Sequence, residues 1–164
     1  MTAFIIRDAE SKDIQESVFV LRRAIVESCK MDHHGISEFI DSWLVNKTDE
    51  HMVKWMEDKS LHLKVALVAE RVVGVGMCTA AGEISLCYVL PEFQSLGIGR
   101  AIVVALESVL EALGFRRSVL ISTKTGLEFY SHLGYEISGK VVSSNGMNGI
   151  PMRRDFCMSR VPFW

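Results

Sequence analysis

Three β-rich runs in succession, followed at once by a long amphipathic helix, constrain this chain more than any other feature. Leu63, Val65, Leu67 and Ala69 alternate with their neighbours. Val72 to Thr79 is rich in β-branched residues, with Gly74 and Gly76 interrupting, and Ile84 to Leu90 follows a turn at Gly82. Runs joined this closely predict an antiparallel meander. Pro91 ends the third run. The spacing then predicts a helix from Gly97 to Leu113, with Ile98, Ile102, Ala105, Leu106, Val109, Leu110 and Leu113 on its apolar face. Gly114 stands where a helix of this kind stops.

The flanks carry both element types. Phe4 to Arg7 reads as a strand. Ile14, Val18, Leu21 and Ile25 recur at helical spacing, with Ser11 as candidate N-cap. Ile36, Phe39, Ile40, Trp43 and Leu44 predict a second helix, and Met52, Trp55 and Met56 a third after Thr48. Beyond the long helix come a strand at Val119–Ile121, a helix at Gly126–Leu133 closed by Gly134, and a strand from Tyr135 to Val142. A loop over Ser143–Gly149 and a last strand from Arg153 to Val161 complete the order. This is the pattern of a mixed α/β fold, and 164 residues suit a single domain spanning 1–164.

Composition narrows the function. Hydrophobic residues make up 49% and charged residues 23%, the balance of a globular protein with a sizeable core. A net charge of -2 lacks the basic excess of a nucleic-acid binder. No apolar run approaches the ~20 residues of a membrane span, and Ala3–Ile6 has no basic stretch ahead of it, so neither a membrane segment nor a signal peptide is expected. Cys29, Cys78, Cys87 and Cys157 form no CxxC pair. Reduced thiols, and with them a cytoplasmic location, are the expectation. The five histidines show no ligand spacing, and no metal site is expected.

The most chemical stretch is Pro91-Glu92-Phe93-Gln94-Ser95-Leu96-Gly97-Ile98-Gly99-Arg100. A strand ends and two glycines lead a helix. The first turn of a helix has free backbone N–H groups and the positive end of its dipole. Glycines let an anion approach that backbone, so the site suits a phosphate. A tight turn with no ligand explains the same glycines. The pattern is neither GxGxxG nor a P-loop, so it does not point to a nucleotide fold.

Gln94-Ser95-Leu96-Gly97-Ile98-Gly99 resembles the Q/R-x-x-G-x-G/A signature of the GCN5-related N-acetyltransferases. Phe129-Tyr130-Ser131-His132-Leu133-Gly134-Tyr135 is similar to that family's F-Y-x-x-x-G-[FY] element, in the right order. The resemblance covers nearly the whole chain. It implies an open, mostly antiparallel sheet splayed around acetyl-CoA and flanked by helices. It also implies acetyl transfer to a primary amine by direct attack in a ternary complex, with a possible homodimer.

Residue by residue, the resemblance puts the cofactor pyrophosphate on Gln94, Ser95, Leu96, Gly97, Ile98, Gly99 and Arg100. It puts the pantetheine arm along the main chain of Cys87, Tyr88 and Val89. A backbone N–H near Cys87 would polarise the thioester carbonyl. Thr123 stands where many relatives have an Asn or Ser on the cofactor. Tyr130 matches the family tyrosine near the thioester sulfur, a proton donor to the departing thiolate or else a packing residue. An amine of pKa near ~10.4 needs about 4.6 kcal/mol to be neutral at pH 7. Glu83, eleven residues before Gln94, stands at the spacing of the catalytic Glu in the histone-acetylating branch, and reads equally as a turn residue. His34 and Trp43 are candidate acceptor contacts, with core or loop roles as the alternative. The rival readings are a non-catalytic acyl-CoA sensor and an interaction module; Glu83 and Tyr130 argue against the first.

Overall fold

The computed structural model describes residues 2–157. Strand β1 (Ile5–Asp8) leads through a 3-10 turn, Ser11–Asp13, into α1 (Ile14–Ser28). Ser11 does not cap α1. Asp13 holds the corner: its carboxylate accepts the Glu10 backbone N–H at 2.7 Å and a bidentate pair from Arg7 at 2.7 and 3.0 Å. A charge-assisted fork outcompetes a serine hydroxyl. Two short helices follow, α2 (Lys30–His33) and α3 (Ser37–Leu44), then α4 (Asp49–Glu57), capped by Thr48, whose hydroxyl accepts the His51 N–H at 3.2 Å.

The meander forms as the alternation predicts, from β2 (Leu61–Val68), β3 (Arg71–Thr79) and β4 (Glu83–Val89). After a 3-10 turn at Pro91–Phe93 come α5 (Ile98–Ala112), β5 (Arg117–Ser122) and α6 (Leu127–His132). The chain closes with β6 (Glu136–Ile137), β7 (Val142–Ser144) and β8 (Met147–Asp155). The strand order is β1-β2-β3-β4-β5-β8-β6, with β7 also on β8. Every pairing is antiparallel except β4 with β5. Leu113, expected on the apolar face of α5, is exposed at the C-cap, one position past the last full turn.

Two expectations near the C-terminus are corrected. The strand expected over Tyr135–Val142 is broken into β6 and β7. Pro151 of β8 explains the break. Its carbonyl accepts the Ser138 N–H at 2.9 Å, but it has no N–H to give back on that edge. The loop expected over Ser143–Gly149 is a hairpin, because Asn145 (φ 52°) and Gly146 (φ 79°) make the left-handed two-residue turn that Asn-Gly favours. The last strand starts at Met147 and ends at Asp155; Phe156 and Cys157 are not part of it, and residues 158–161 of the expected run lie outside the described residues.

The two faces of the sheet can be followed residue by residue. A Cβ at Gly76 would fall 2.3 Å from Ile102, and one at Gly74 2.8 Å from it, so these glycines let α5 sit close on β3. Cys78 also faces α5, with its thiol on the Leu106 carbonyl. Cys78 pairs with Ile84, and Ile84 with Leu120, which carries the α5 face across to β5. Helix α1 packs on β3 and β4 from the other side, with α2 and α3 attached to it.

The sheet opens between β4 and β5. Ser85 is an extra residue in β4: Ile84 pairs with Cys78 and Leu86 with the adjacent Met77. Such a bulge bends a strand away from its neighbour. β4 and β5 pair only at Glu83–Val119 and Ile84–Leu120, and beyond that point they splay apart.

Candidate active site

The splay makes a cleft of about 570 Å³. One wall is β4 from Ile84 to Val89, and the other is Ile121, Thr123 and α6 with Phe129 and Tyr130. The end of α1 (Ala24, Ser28, Cys29) lies along one rim, and Gln94, Ser95, Gly97, Gly99 and Arg100 form the other.

That second rim has the features that suit an anion. Gly97 is the N-cap of α5 with φ 85°, and nothing lies within 4 Å of where its Cβ would be. Ser95 is also left-handed, φ 62°. The first N–H groups of α5 have no acceptor within the helix. Arg100 is exposed on the cleft and makes no ion pair among the described residues. Gln94 is held in place, with its amide donating to Ser28 Oγ at 3.0 Å and the Val89 carbonyl at 3.3 Å. Gly99 has a different reason from Gly97. A Cβ there would stand 3.2 Å from the Phe129 ring, so its bareness lets α6 approach α5. Leu96 and Ile98 do not line the cleft: Leu96 is exposed, and Ile98 is core.

On β4 the main chain alternates. Leu90 N–H donates to the Val73 carbonyl, and Tyr88 pairs with Val75 in the same sense. Cys87 and Val89 therefore turn their N–H groups into the gap, while Tyr88 spends its own on β3. The side chains alternate too. Cys87 pairs with Gly76 and faces α5, its thiol on the Gly99 carbonyl at 3.8 Å. Burial pushes that thiol up to about 12, so it is an inert –SH at neutral pH. Tyr88 points to the α1 face. Burial raises its phenol, the Cys29 thiol adds to this, and a hydrogen bond from Trp43 opposes it.

Tyr130 stacks edge-on with Phe129 and Tyr135 at 5.0 and 5.7 Å between ring centres. Burial raises its pKa well above the usual phenol value, with Cys87, Tyr88 and Tyr135 adding to the shift. It keeps its proton. Thr123 accepts the Gly126 N–H on its hydroxyl at 3.0 Å and so starts α6, the helix that carries Tyr130.

Three further candidates stand apart from the cleft lining. Glu83 sits at the closed vertex beside Val119, about 13 Å along β4 from Cys87. It shares the face of Val119, the side opposite α5. His34 is exposed in a left-handed turn, φ 51°. Trp43 is half-buried behind Tyr88 and meets the His33 ring edge-on at 6.4 Å. His33 is buried and structural. Its Nε2 lies 3.0 Å from the Ile25 carbonyl, and its Nδ1 accepts the Gly35 N–H at 3.0 Å, so the ring caps the end of α1.

Sequence reasoning missed Asp32. Its buried carboxylate accepts Lys124 N–H at 2.7 Å, Thr125 N–H at 3.2 Å and Thr125 Oγ1–H at 2.6 Å. It ties α2 to the loop before α6, across the splayed end of the cleft. Burial, with the Asp32 charge adding, pushes the Cys29 thiol up to about 12. No motif signals Asp32, because its partners, two backbone amides and one hydroxyl, lie more than ninety residues away.

The model of the acetyltransferase (GNAT) domain family matches residues 28–156, which takes in every cleft-lining residue named above but Ala24. The chain belongs to the GNAT family. It is an N-acetyltransferase. Solved structures agree with its fold. A GCN5-related N-acetyltransferase from Rhodopseudomonas palustris superposes with a TM-score of 0.84 at 18% identity, covering 95% of this chain and 98% of that one. The PaiA N-acetyltransferase from Thermoplasma acidophilum, in complex with coenzyme A, gives 0.76 at 20% identity, over 94% and 99%. A phosphinothricin acetyltransferase from Sinorhizobium meliloti, in complex with acetyl-CoA, gives 0.69 at 20% identity, over 94% and 89%. A search of curated proteins gives no match. No helix among the described residues is long and apolar enough to cross a membrane.

Proposed function

We propose that this GNAT enzyme binds acetyl-CoA in the β4–β5 cleft and transfers its acetyl group to a primary amine by direct attack in a ternary complex. One observation carries the reading: a single cleft joins a helix N-terminus with free amides, an open strand edge and a half-buried, protonated tyrosine. These residues fit acetyl-CoA. The amides of Gly97 to Arg100 and the Arg100 side chain suit its pyrophosphate. The free main chain of Cys87 and Val89 suits the amides of its pantetheine arm.

The cofactor supplies the acyl thioester; this chain orients it and manages the charge. The Cys87 N–H faces the gap and can hold the oxyanion that develops when the amine attacks the carbonyl. The C–S bond then breaks. Tyr130 donates a hydrogen bond to the departing sulfur. Its raised pKa makes full proton transfer to a thiolate unfavourable, so solvent completes the protonation. The ammonium proton leaves on the other face. Glu83 lies on that face, too far along β4 for direct contact, and accepts the proton through water.

The test is release of free thiol from acetyl-CoA over a panel of amines, polyamines, amino acids and peptides, with the acetylated product identified by mass. Amine-dependent release with N-acetyl product supports the reading. Tight acetyl-CoA binding without turnover on any amine overturns it.

A further inference from the structure

The acceptor side of the cleft has a floor. β5 turns Ser118, Leu120 and Ser122 into the core and Val119 and Ile121 the other way, leaving these two 37% and 56% exposed. Ile121 also lines the cleft, so the exposed surface is continuous with the reaction site. Strand register extends it sideways: Ile121 pairs with Pro151, and Gly149 on the same face of β8 pairs with Val142. A Cβ at Gly149 would lie 2.4 Å from Ile121 Cγ2 and 3.2 Å from Val142 Cγ2, so these two side chains close over the bare glycine. Val142 is itself 43% exposed. The strip crosses two strand spacings, about 9.5 Å.

The strip has a dead end. Asp32 pins α2 to Lys124 and Thr125. Farther on, the Phe39 ring of α3 sits on the hairpin turn, where a Cβ at Gly146 would be 2.4 Å from the ring. The α2–α3 segment thus walls off the splayed end, one helix diameter or about 10 Å high. Charged groups keep to the margins: Glu83 pairs with Val119 at the vertex, and Arg153 lies opposite Val119 and Glu136.

From this floor and wall we propose that the acceptor is a compact primary amine with an apolar body, which rests on Ile121, Pro151 and Val142 while its nitrogen reaches into the cleft. The proposal rests on the amine acetylation proposed above and names its substrate class. A methylene laid on such a floor favours binding about fourfold, whereas a second ammonium there loses its hydration with no partner.

Hexylamine and pentane-1,5-diamine have the same length and differ in a methyl against an ammonium at the far end. The wild-type kcat/KM is expected to favour hexylamine by at least tenfold. Ile121→Glu should shift that ratio at least tenfold toward the diamine. Val142→Glu, on an exposed strand outside the cleft lining, should shift it in the same direction. Thermal melts and acetyl-CoA dissociation constants of each variant report folding and the cofactor side. A wild-type preference for the diamine, or a ratio unmoved by both variants, overturns the proposal while leaving amine acetylation in place. No turnover on either amine overturns the proposal, and coenzyme A binding with no turnover on any amine of the wider panel overturns amine acetylation as well.

Discussion

The two rims of the cleft are made in opposite ways. The Gln94–Arg100 rim offers mainly backbone: a left-handed Gly97, free amides, and Arg100, which has no ion pair among the described residues. The opposite rim, at the end of α1 and the α2–α3 segment, is held by side-chain contacts, with Asp32 on Lys124 and Thr125, His33 on the end of α1, and Phe39 on Gly146. Backbone recognition needs particular residues at fixed spacing, so it leaves a motif. A tertiary pin needs only that some residue reach a partner, so it leaves none. The first rim can serve a constant ligand and the second a variable one.

Tyr130 stands on the wall of the cleft that both rims border, and the largest effect is expected there. Tyr130→Phe keeps the ring contacts to Phe129 and Tyr135 and removes only the hydrogen-bond donor. A hydrogen bond to a developing charge is worth about 1.5–3 kcal/mol, so kcat should fall roughly 10- to 100-fold with acetyl-CoA affinity unchanged. Steady-state kinetics with one responsive amine reads this. Full turnover would make the tyrosine a packing residue and leave the rims without a shared group.

The glycine rim can be split next. Gly97→Val forces a β-branched residue to φ 85° and fills the open approach, so coenzyme A binding should weaken about tenfold, on top of a backbone strain of about 1–2 kcal/mol that lowers the melting temperature. Gly99→Ala presses on Phe129 at 3.2 Å and should cost stability, on the order of 1 kcal/mol, before it costs affinity. Calorimetry and thermal melts on both variants separate them. Equal effects on affinity would return both glycines to one role.

On the proposed acceptor side, Glu83→Gln keeps the shape and removes the proposed base. Activity at pH 7 should fall up to about tenfold, and the defect should shrink as pH approaches the amine pKa, where solvent supplies neutral nucleophile. Acetyl-CoA affinity should not move. Parallel kcat/KM profiles from pH 6.5 to about 9.5 would take Glu83 out of proton transfer.

The smallest effect concerns Lys47, which is buried behind Trp43 and donates to its carbonyl at 3.3 Å. Burial brings its pKa down to about 8 from near ~10.4 in the unfolded chain. Between these values the unfolded chain holds the extra proton, so stability rises with pH across that window; below pH 8 the full cost of a buried charge is present. Lys47→Met should raise the melting temperature by about 2–4 °C at pH 7, with the gain fading toward pH 10.5. A gain independent of pH would mean that packing rather than charge is the cause.

What could be read in advance follows the same division. The meander, α5 and its N-terminal loop were legible because period and glycine placement belong to the segment itself. Asn145-Gly146 carried a hairpin signal that its polar neighbours masked, and the break between β6 and β7 depends on Pro151 lying opposite, a fact of pairing rather than of local sequence. Within the site, the spacing of Gly97 and Gly99 was visible, but not that Gly99 serves Phe129. His34 was singled out, yet its neighbour His33 is the residue with a defined task, and Asp32 beside it gave no signal.

Backbone amide resonances followed during a coenzyme A titration test the division of the cleft most directly. Cofactor binding on the glycine rim predicts large shifts at Ser95 to Arg100 and at Cys87 and Val89, with Tyr88, α3 and the β7–β8 hairpin little changed. Shifts concentrated in α2, α3 and the hairpin, with Gly97 and Gly99 silent, would contradict it.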